Sequence, residues 1–491
     1  AAVCNRKKRL ELSTLLASDN CVFNSEMTLY SEGQCFKCAP LEWSVRHGVK
    51  YRKVTLTCQF LKDRDTRLRV LNHLSVALKH FYIDLFTDLM DKNQRNVDLG
   101  AVFDDLTTCC PRVTHLKISS TSSTSLNLIP NDDFECVLQY IHGKSTVVSI
   151  NFENFRIFPE KIILALAEPS SLRTIRFINC APVGGAIDLT THQPQTNAIT
   201  RLKLSCHISV CALFPNVVRL TLTDLLVKDV CALVQYCPHV HTAMLTFTRP
   251  GGITTVLQAV SVDAICTGWK DIRNLELLGG KVLTEKQLVR LVQKCTTLTK
   301  LCTAYITKDP LIERKVRYPS HYKGSRLQIA QISCYNAVTL QTILALCPYL
   351  HTLHLMKLYG PESVNYTPVE LALNYVTASS SVQHLHLHGF KRLYDADIQP
   401  LQGANLLSLS FNQANTLTSS GVLQLVPTLP LLRTLGLDDC ELIDRSVVVH
   451  VPRLCPQLRW FSYKPKGGCS AALLSDVLPL LYPRVHIVVS Y

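Results

Sequence analysis

The sequence predicts an α/β solenoid, in which short parallel strands alternate with helical returns and each unit buries its apolar face only against the next. Three observations predict it. First, similar segments recur: "CCPRVTHLKIS" (109–119), "SSLRTIRFINC" (170–180), "LCPYLHTLHLM" (346–356), "SSVQHLHLHGF" (380–390), "TLPLLRTLGLDDC" (428–440) and "LCPQLRWFSYK" (454–464). Second, each holds an apolar residue at a first position and again three and five residues later. Third, the stretch after a strand reads as a helix, as in "TSSGVLQLVPTL" and "DRSVVVHVPRLC".

The first positions are Val113, Val147, Leu172, Ile199, Val217, Val240, Ile272, Leu298, Leu327, Leu350, Val382, Leu406, Leu432, Leu458 and Val485, fifteen anchors over 372 residues with a mean period of about 27. That period falls within the range of leucine-rich repeats. A horseshoe follows, with parallel strands on the concave face and helices on the convex one, because neither piece of a repeat can bury its apolar side alone. With 47% apolar and 18% charged residues among 491, the chain has material for a long core and lacks the signature of disorder. Upstream, Tyr51, Val54 and Leu56 in "YRKVTLTCQ" fit the same template. The stretch "DTRLRVLNHLSVALKHFYIDLFTDLM" (65–90) has helical apolar spacing and predicts a convex helix or part of an N-terminal cap.

Twenty-one cysteines, an odd number scattered over the chain, point to reduced intracellular thiols rather than a secreted disulfide framework. Those in the recurring Cys-Pro pairs fit helix ends, where proline stops continuation and a small thiol packs between layers. No apolar run is long enough for a membrane helix; "VLPLLYPRVHIVVSY" is cut by prolines and an arginine. The chain starts at Ala1 without a charged-then-apolar leader, which reads as a processed chain or an N-terminal fragment. A formal charge of +14 favours acidic partners, either nucleic acid or an acidic or phosphorylated protein. The basic run "NRKKRL" (5–10) reads as a solvated helix face or a nuclear-import patch.

Strand parity sorts the side chains: anchors point into the core, and the residues between them face the concave surface. His384, His386 and His388 are therefore exposed together, and a neighbouring strand in register would set His354 about 5 Å from His386. This ladder reads as a polar recognition patch. Zinc is disfavoured, since parallel side chains do not converge and Ser408, Ser410 and Asn412 follow in the next repeat. A second, basic patch comprises His115, Lys117, Arg176, Arg201, Lys203 and Arg219, suited to carboxylate or phosphate groups. Later outward positions, Glu276, Asp438, Trp460 and Lys464, are mixed, and Trp460 offers the largest contact area. The segments 247–255, 307–326 and 358–368 break the period and read as exposed loops.

Catalytic signatures are missing from the sequence: no P-loop, no G-x-G-x-x-G, no H-E-x-x-H and no G-x-S-x-G. Cys35 and Cys38, with Cys21 and His47, make an incomplete zinc-knuckle pattern without a second pair. The remaining histidines and cysteines follow the repeat, so no catalytic residue, metal or cofactor is expected.

The combination of Cys-Pro-x-Leu-x-x-Leu-x-Leu, a period near 26 and strands ending in Cys ("FINC", "LDDC") resembles the cysteine-containing leucine-rich repeats of F-box proteins over about residues 109–491. The opening "AAVCNRKKRL" looks like the last helix of an F-box, although Lys7 stands where that family usually carries tryptophan. The resemblance implies an F-box remnant or N-terminal cap in 1–48, a capping repeat region in 49–108 and a solenoid of about 15 repeats in 109–491. It further implies a non-catalytic, cytoplasmic or nuclear substrate-recognition subunit of a cullin-type ubiquitin ligase. A Skp-type adaptor and cullin would bind the F-box, and a target protein the concave face. The alternative is an interaction scaffold or GTPase regulator on the same solenoid, although no loop-tip arginine stands out. Nucleic-acid binding rests on charge alone, for exposed aromatics are sparse on the basic strands.

Overall fold

The computed structural model describes residues 22–29, 50–57, 63–84, 98–119, 131–144, 146–155, 160–168, 171–180, 197–205, 208–248, 256–279, 282–303, 306–307, 324–333, 337–356, 369–465 and 482–489. These fall into two units: one reaches Asp224 and includes Gln235–His239, and the other holds Leu225–Val234 and runs from Val240 onward. The F-box-like opening, the Cys21, Cys35, Cys38 and His47 group, and most of the three period-breaking loops lie outside the described residues.

In the first unit, strands β1 (Val22–Leu29), β2 (Lys50–Thr57), β3 (His80–Asp84), β4 (His115–Ser119), β5 (Ser149–Glu153), β6 (Thr174–Ile178), β7 (Arg201–Leu204) and β8 (Arg219–Leu225) pair in chain order. Every pairing is parallel. Helices α1 (Arg64–Leu74), α2 (Leu99–Cys109), α3 (Asn131–Gly143) and α4 (Glu160–Ala167) fill the connections between strands and pack against one another in the same order. Such strand–helix–strand returns are what a parallel ladder requires.

The second unit repeats the plan. Strands β9 (Thr242–Phe247), β10 (Asn274–Leu278), β12 (Lys300–Thr303), β14 (Ile329–Ile332), β15 (Thr352–Met356), β16 (His384–His388), β17 (Ser408–Asn412), β18 (Thr434–Cys440), β19 (Trp460–Pro465) and β20 (His486–Val489) form another parallel ladder. The short β11 (Leu283–Thr284) and β13 (Ile306–Thr307) pair separately. Behind the ladder run α5 (Val230–Tyr236), α6 (Ala259–Gly268), α7 (Glu285–Lys294), α8 (Ala337–Leu346), α9 (Val369–Ala378), α10 (Ser419–Leu425) and α11 (Ser446–Leu454). Each unit is thus a leucine-rich-repeat stack.

The anchors carry this architecture. Val113 through Leu458, fourteen of the fifteen first positions, are at most 4% exposed, and their partners three and five residues on are buried with them. Val54 and Leu56 are fully buried in the same way, in register with Phe81 and Ile83. Two expectations need correction. The stretch 65–90 does supply a helix, up to Leu74, but in the described residues after it the helical spacing gives way to a 3-10 turn, and Leu78, Phe81 and Ile83 belong to the repeat that holds β3. Val485 is not an anchor: Trp460 pairs with His486 and Phe461 with Ile487, so the last repeat is shifted by one residue and Val485 is half-buried.

A shared turn ends many strands. Asn154, Asn179, Asp224, Gly279, Gly389, Gln413 and Asp439 all have positive φ, and each is the sixth residue counted from its strand's start. Asn, Asp and Gly tolerate this left-handed backbone with the least steric cost. At Gly279 even a Cβ would fall 2.4 Å from the Phe247 carbonyl oxygen, so glycine is required there. The turn delivers its N–H to the next repeat, as from Asn154 to Ile178 O at 2.8 Å and from Gln413 to Asp438 O at 2.9 Å.

The Cys-Pro cysteines belong to the core. Cys110, Cys237, Cys347 and Cys455 are buried, and the Cys110 and Cys455 thiols reach carbonyls of the preceding repeat, Leu71 O at 3.4 Å and Leu432 O at 3.3 Å. The strand-end cysteines behave alike: Cys180 reaches Phe152 O at 3.4 Å and Cys440 reaches Phe411 O at 3.7 Å. Burial pushes the Cys110, Cys180 and Cys347 thiols up to about 12 and Cys440 to about 11, so they stay protonated and unreactive at neutral pH. No helix among the described residues is long and apolar enough to cross a membrane.

Candidate functional site

With leucines fixed inward, strand register aligns the intervening side chains in rows across each ladder. In the first unit one row runs His80, His115, Ser149, Thr174, Arg201, Arg219, and a second runs Tyr82, Lys117, Asn151, Arg176, Lys203, Thr221. The six residues expected on this face lie on these two rows. They divide into two groups with different surroundings.

His115 and Lys117 are already partnered. The His115 ring stacks on His80 at 4.2 Å, and its Nδ1 lies 2.8 Å from the Thr114 hydroxyl. Burial, then His80 and Arg176, lowers its pKa, which keeps the ring neutral. The Lys117 ammonium sits 2.6 Å from Glu153, whose other oxygen accepts from the Asn151 amide at 2.8 Å, and it lies 5.8 Å from the Tyr82 ring centroid. His80 and Tyr82 were missed in the sequence because they sit in the stretch read as helical.

Arg176, Arg201, Lys203 and Arg219 form the other group. They occupy three consecutive strands, with Arg176 directly beside Lys203 and Arg201 directly beside Arg219. The three arginines are exposed and Lys203 is half-buried. None of the four forms an ion pair with another described residue.

In the second unit the corresponding rows run Asn274, Lys300, Ile329, Thr352, His384, Ser408, Thr434, Trp460, His486 and Glu276, Cys302, Gln331, His354, His386, Ser410, Gly436, Ser462. His354 and His386 are neighbours, their rings stacked with centroids 4.2 Å apart and planes within 9°. His384 meets the His351 ring edge-on at 6.2 Å. His388 is exposed, in register with Met356 and Asn412. Trp460 is 44% exposed and its ring lies 4.3 Å from His486, making a compact aromatic platform. The cations of this face are matched: Lys300 bonds Glu276 at 2.6 Å and Lys464 reaches Asp439 at 3.4 Å.

Stacked imidazoles of this kind bind protons poorly. Burial, then the neighbouring His354 and His384, pushes the His386 pKa down to about 4; burial with Lys300 lowers His354, and burial with His351 lowers His384. At neutral pH His354, His384 and His386 present uncharged imidazoles able to hydrogen-bond. Among the described residues, no group of three or more His, Cys, Asp or Glu side chains converges as a metal centre would.

A pH dependence follows. An unfolded histidine titrates near about 6.5, so between there and about 4 the unfolded chain takes up a proton at His386 that the native ladder refuses. Stability contributed by neutral His386 is therefore complete above the upper value, falls as pH drops through the window, and levels off below it. Urea midpoints measured across this range are expected to decline more in the native sequence than in His386→Gln. Equal slopes for the two proteins would contradict a suppressed His386 proton affinity.

No family model matches the chain, and no curated protein matches it. Solved structures do match. The chain is similar to the Rad7 and Elc1 complex of yeast, at 12% identity over 90% of this chain and 91% of that one, with a TM-score of 0.41. It is also similar to the Toll–Spatzle complex of Drosophila, at 11% identity over 80% of this chain and 47% of that one, with a TM-score of 0.34.

Proposed function

We propose that the chain is a non-catalytic recognition subunit that holds a target protein against the exposed face of its strand ladders, as a substrate adaptor of a cullin-type ubiquitin ligase. One observation carries the recognition half. In repeat after repeat the strand buries its leucines and aligns the alternate side chains, so cations fall into rows on the ladder of the first unit, and histidines and an indole into rows on the ladder of the second. A surface of this kind suits a long polypeptide contact, with Trp460 as an anchor. The chemistry assigned to such a subunit is positional: it raises the effective concentration of a target lysine beside the conjugating enzyme.

The ligase half rests on the resemblance of the Cys-Pro repeats and of "AAVCNRKKRL" to F-box proteins. Copurification from cells tests it. A full-length bait is expected to retain a Skp-type adaptor and a cullin, and to lose both when residues 1–48 are deleted while keeping its target. A full-length bait that retains neither removes the ligase reading and leaves a protein-binding solenoid.

A further inference from the structure

The geometry points to a seat for a phosphorylated Ser or Thr side chain, borne on an extended segment of a protein partner and held by Arg176, Arg201, Lys203 and Arg219. This inference rests on the recognition reading above and gives it a ligand chemistry.

The first argument is an unresolved electrostatic conflict. Neighbouring strands lie about 4.8 Å apart, and like charges directly opposite one another on a sheet are destabilising. Here two such pairs, Arg176 with Lys203 and Arg201 with Arg219, adjoin on β6, β7 and β8. Their flanking row positions, Ser149, Asn151, Thr174 and Thr221, are neutral. On the other strands three described lysines are neutralised, Lys117 by Glu153, Lys300 by Glu276 and Lys464 by Asp439. A local rule broken at one place, without compensation from described residues, marks a functional position.

The second argument concerns which anion fits. A carboxylate cancels one charge, whereas a phosphomonoester brings a charge of about −1.5 to −2 and three acceptor oxygens. Three guanidinium forks and one ammonium carried on three adjacent strands match that acceptor set through charge-assisted bonds. A peptide is favoured over nucleic acid because β6, β7 and β8 offer no exposed aromatic ring for base stacking: Phe177, their one aromatic residue, is buried.

The test uses the full chain and fluorescently labelled degenerate peptides with a fixed central phosphoserine or phosphothreonine, beside the same pools unphosphorylated. The phosphorylated pools are expected to bind at least about tenfold more tightly. Changing all four cations to Gln should abolish that preference, and each double variant, R176Q/K203Q and R201Q/R219Q, should reduce it. Removing four exposed cations elsewhere (K228Q/K270Q/K286Q/R445Q) should leave it intact. Relief of the like-charge pairs should also keep the four-site variant at least as heat-resistant as the parent, an effect opposite to that of removing structural ion pairs. Equal binding of both kinds of pool overturns the inference, as does a preference that survives in both double variants. Tighter binding of single-stranded RNA or DNA that depends on the same four residues overturns it in favour of nucleic acid. Cullin copurification does not use this surface, so a ligase without a phosphate preference, or the converse, separates the two readings.

Discussion

Asp105→Ala is expected to destabilise the first unit by about 3–5 kcal/mol, the cost of leaving a buried charge without its partner. Asp105 on α2 and Arg67 on α1 are 5% and 3% exposed. Arg67 Nε donates to Asp105 Oδ2 at 2.9 Å, Nη2 donates to the same oxygen, and Arg64 approaches Oδ1 at 3.5 Å. Removing the carboxylate takes from the buried guanidinium the oxygen that accepts from both Nε and Nη2. Because repeat stability is a sum of nearest-neighbour terms, the loss should be local, seen as faster amide exchange in α1, α2 and β2–β4 and as an early step in urea unfolding. The double variant R67M/D105L separates charge from packing: apolar replacement of both partners should recover most of the loss. If Asp105→Ala changes stability by less than about 1 kcal/mol, the pair is hydrated and does not join the helices as described.

How much of this was readable in advance depends on how far each pattern is degenerate. Leu350, Leu353 and Leu355 could be placed at once, because one apolar residue at each of three positions and polar residues between them admit a single register. At the C-terminal end Ile487, Val488 and Val489 are consecutive, so either register leaves two of the three template positions apolar and the wrong one selected Val485. A one-residue slip exchanges the two faces of a strand, and there only the pairing of His486 with Trp460 decides. The stretch 65–90 failed for a related reason: Leu78, Phe81 and Ile83 satisfy the strand template, but the leucines and valines before them satisfy the helical period, and the boundary at Ser75 leaves no strong sequence mark. Rows of outward residues were legible from parity alone, which placed Arg176, Arg201, Lys203 and Arg219 on one face. Their difference from Lys117 was not. Glu153, which neutralises Lys117, lies two positions further along the neighbouring strand, a diagonal contact visible only once register is known.

The separation of the two faces has a direct test in β17, where adjacent residues should differ by several kcal/mol. Phe411 is fully buried, in register with Leu387 and Leu437. Phe411→Ala opens a cavity between three repeats whose backbones are fixed by ladder hydrogen bonds and cannot collapse into it; the expected loss is about 3–5 kcal/mol. Ser410, one residue earlier, lies between His386 and Gly436 on the outward side. A side chain built at Gly436 would come within 2.9 Å of the Ser410 hydroxyl and 3.1 Å of that of Ser462, so glycine there keeps the outward row shallow. Ser410→Ala removes no core volume and is expected to change stability by no more than about 0.5 kcal/mol. Urea unfolding, with amide exchange in β16, β17 and β18 as the local reporter, measures both. Comparable losses at the two sites would mean that Ser410 is as deeply packed as Phe411. The histidine row beside it could not then be an open surface for a partner.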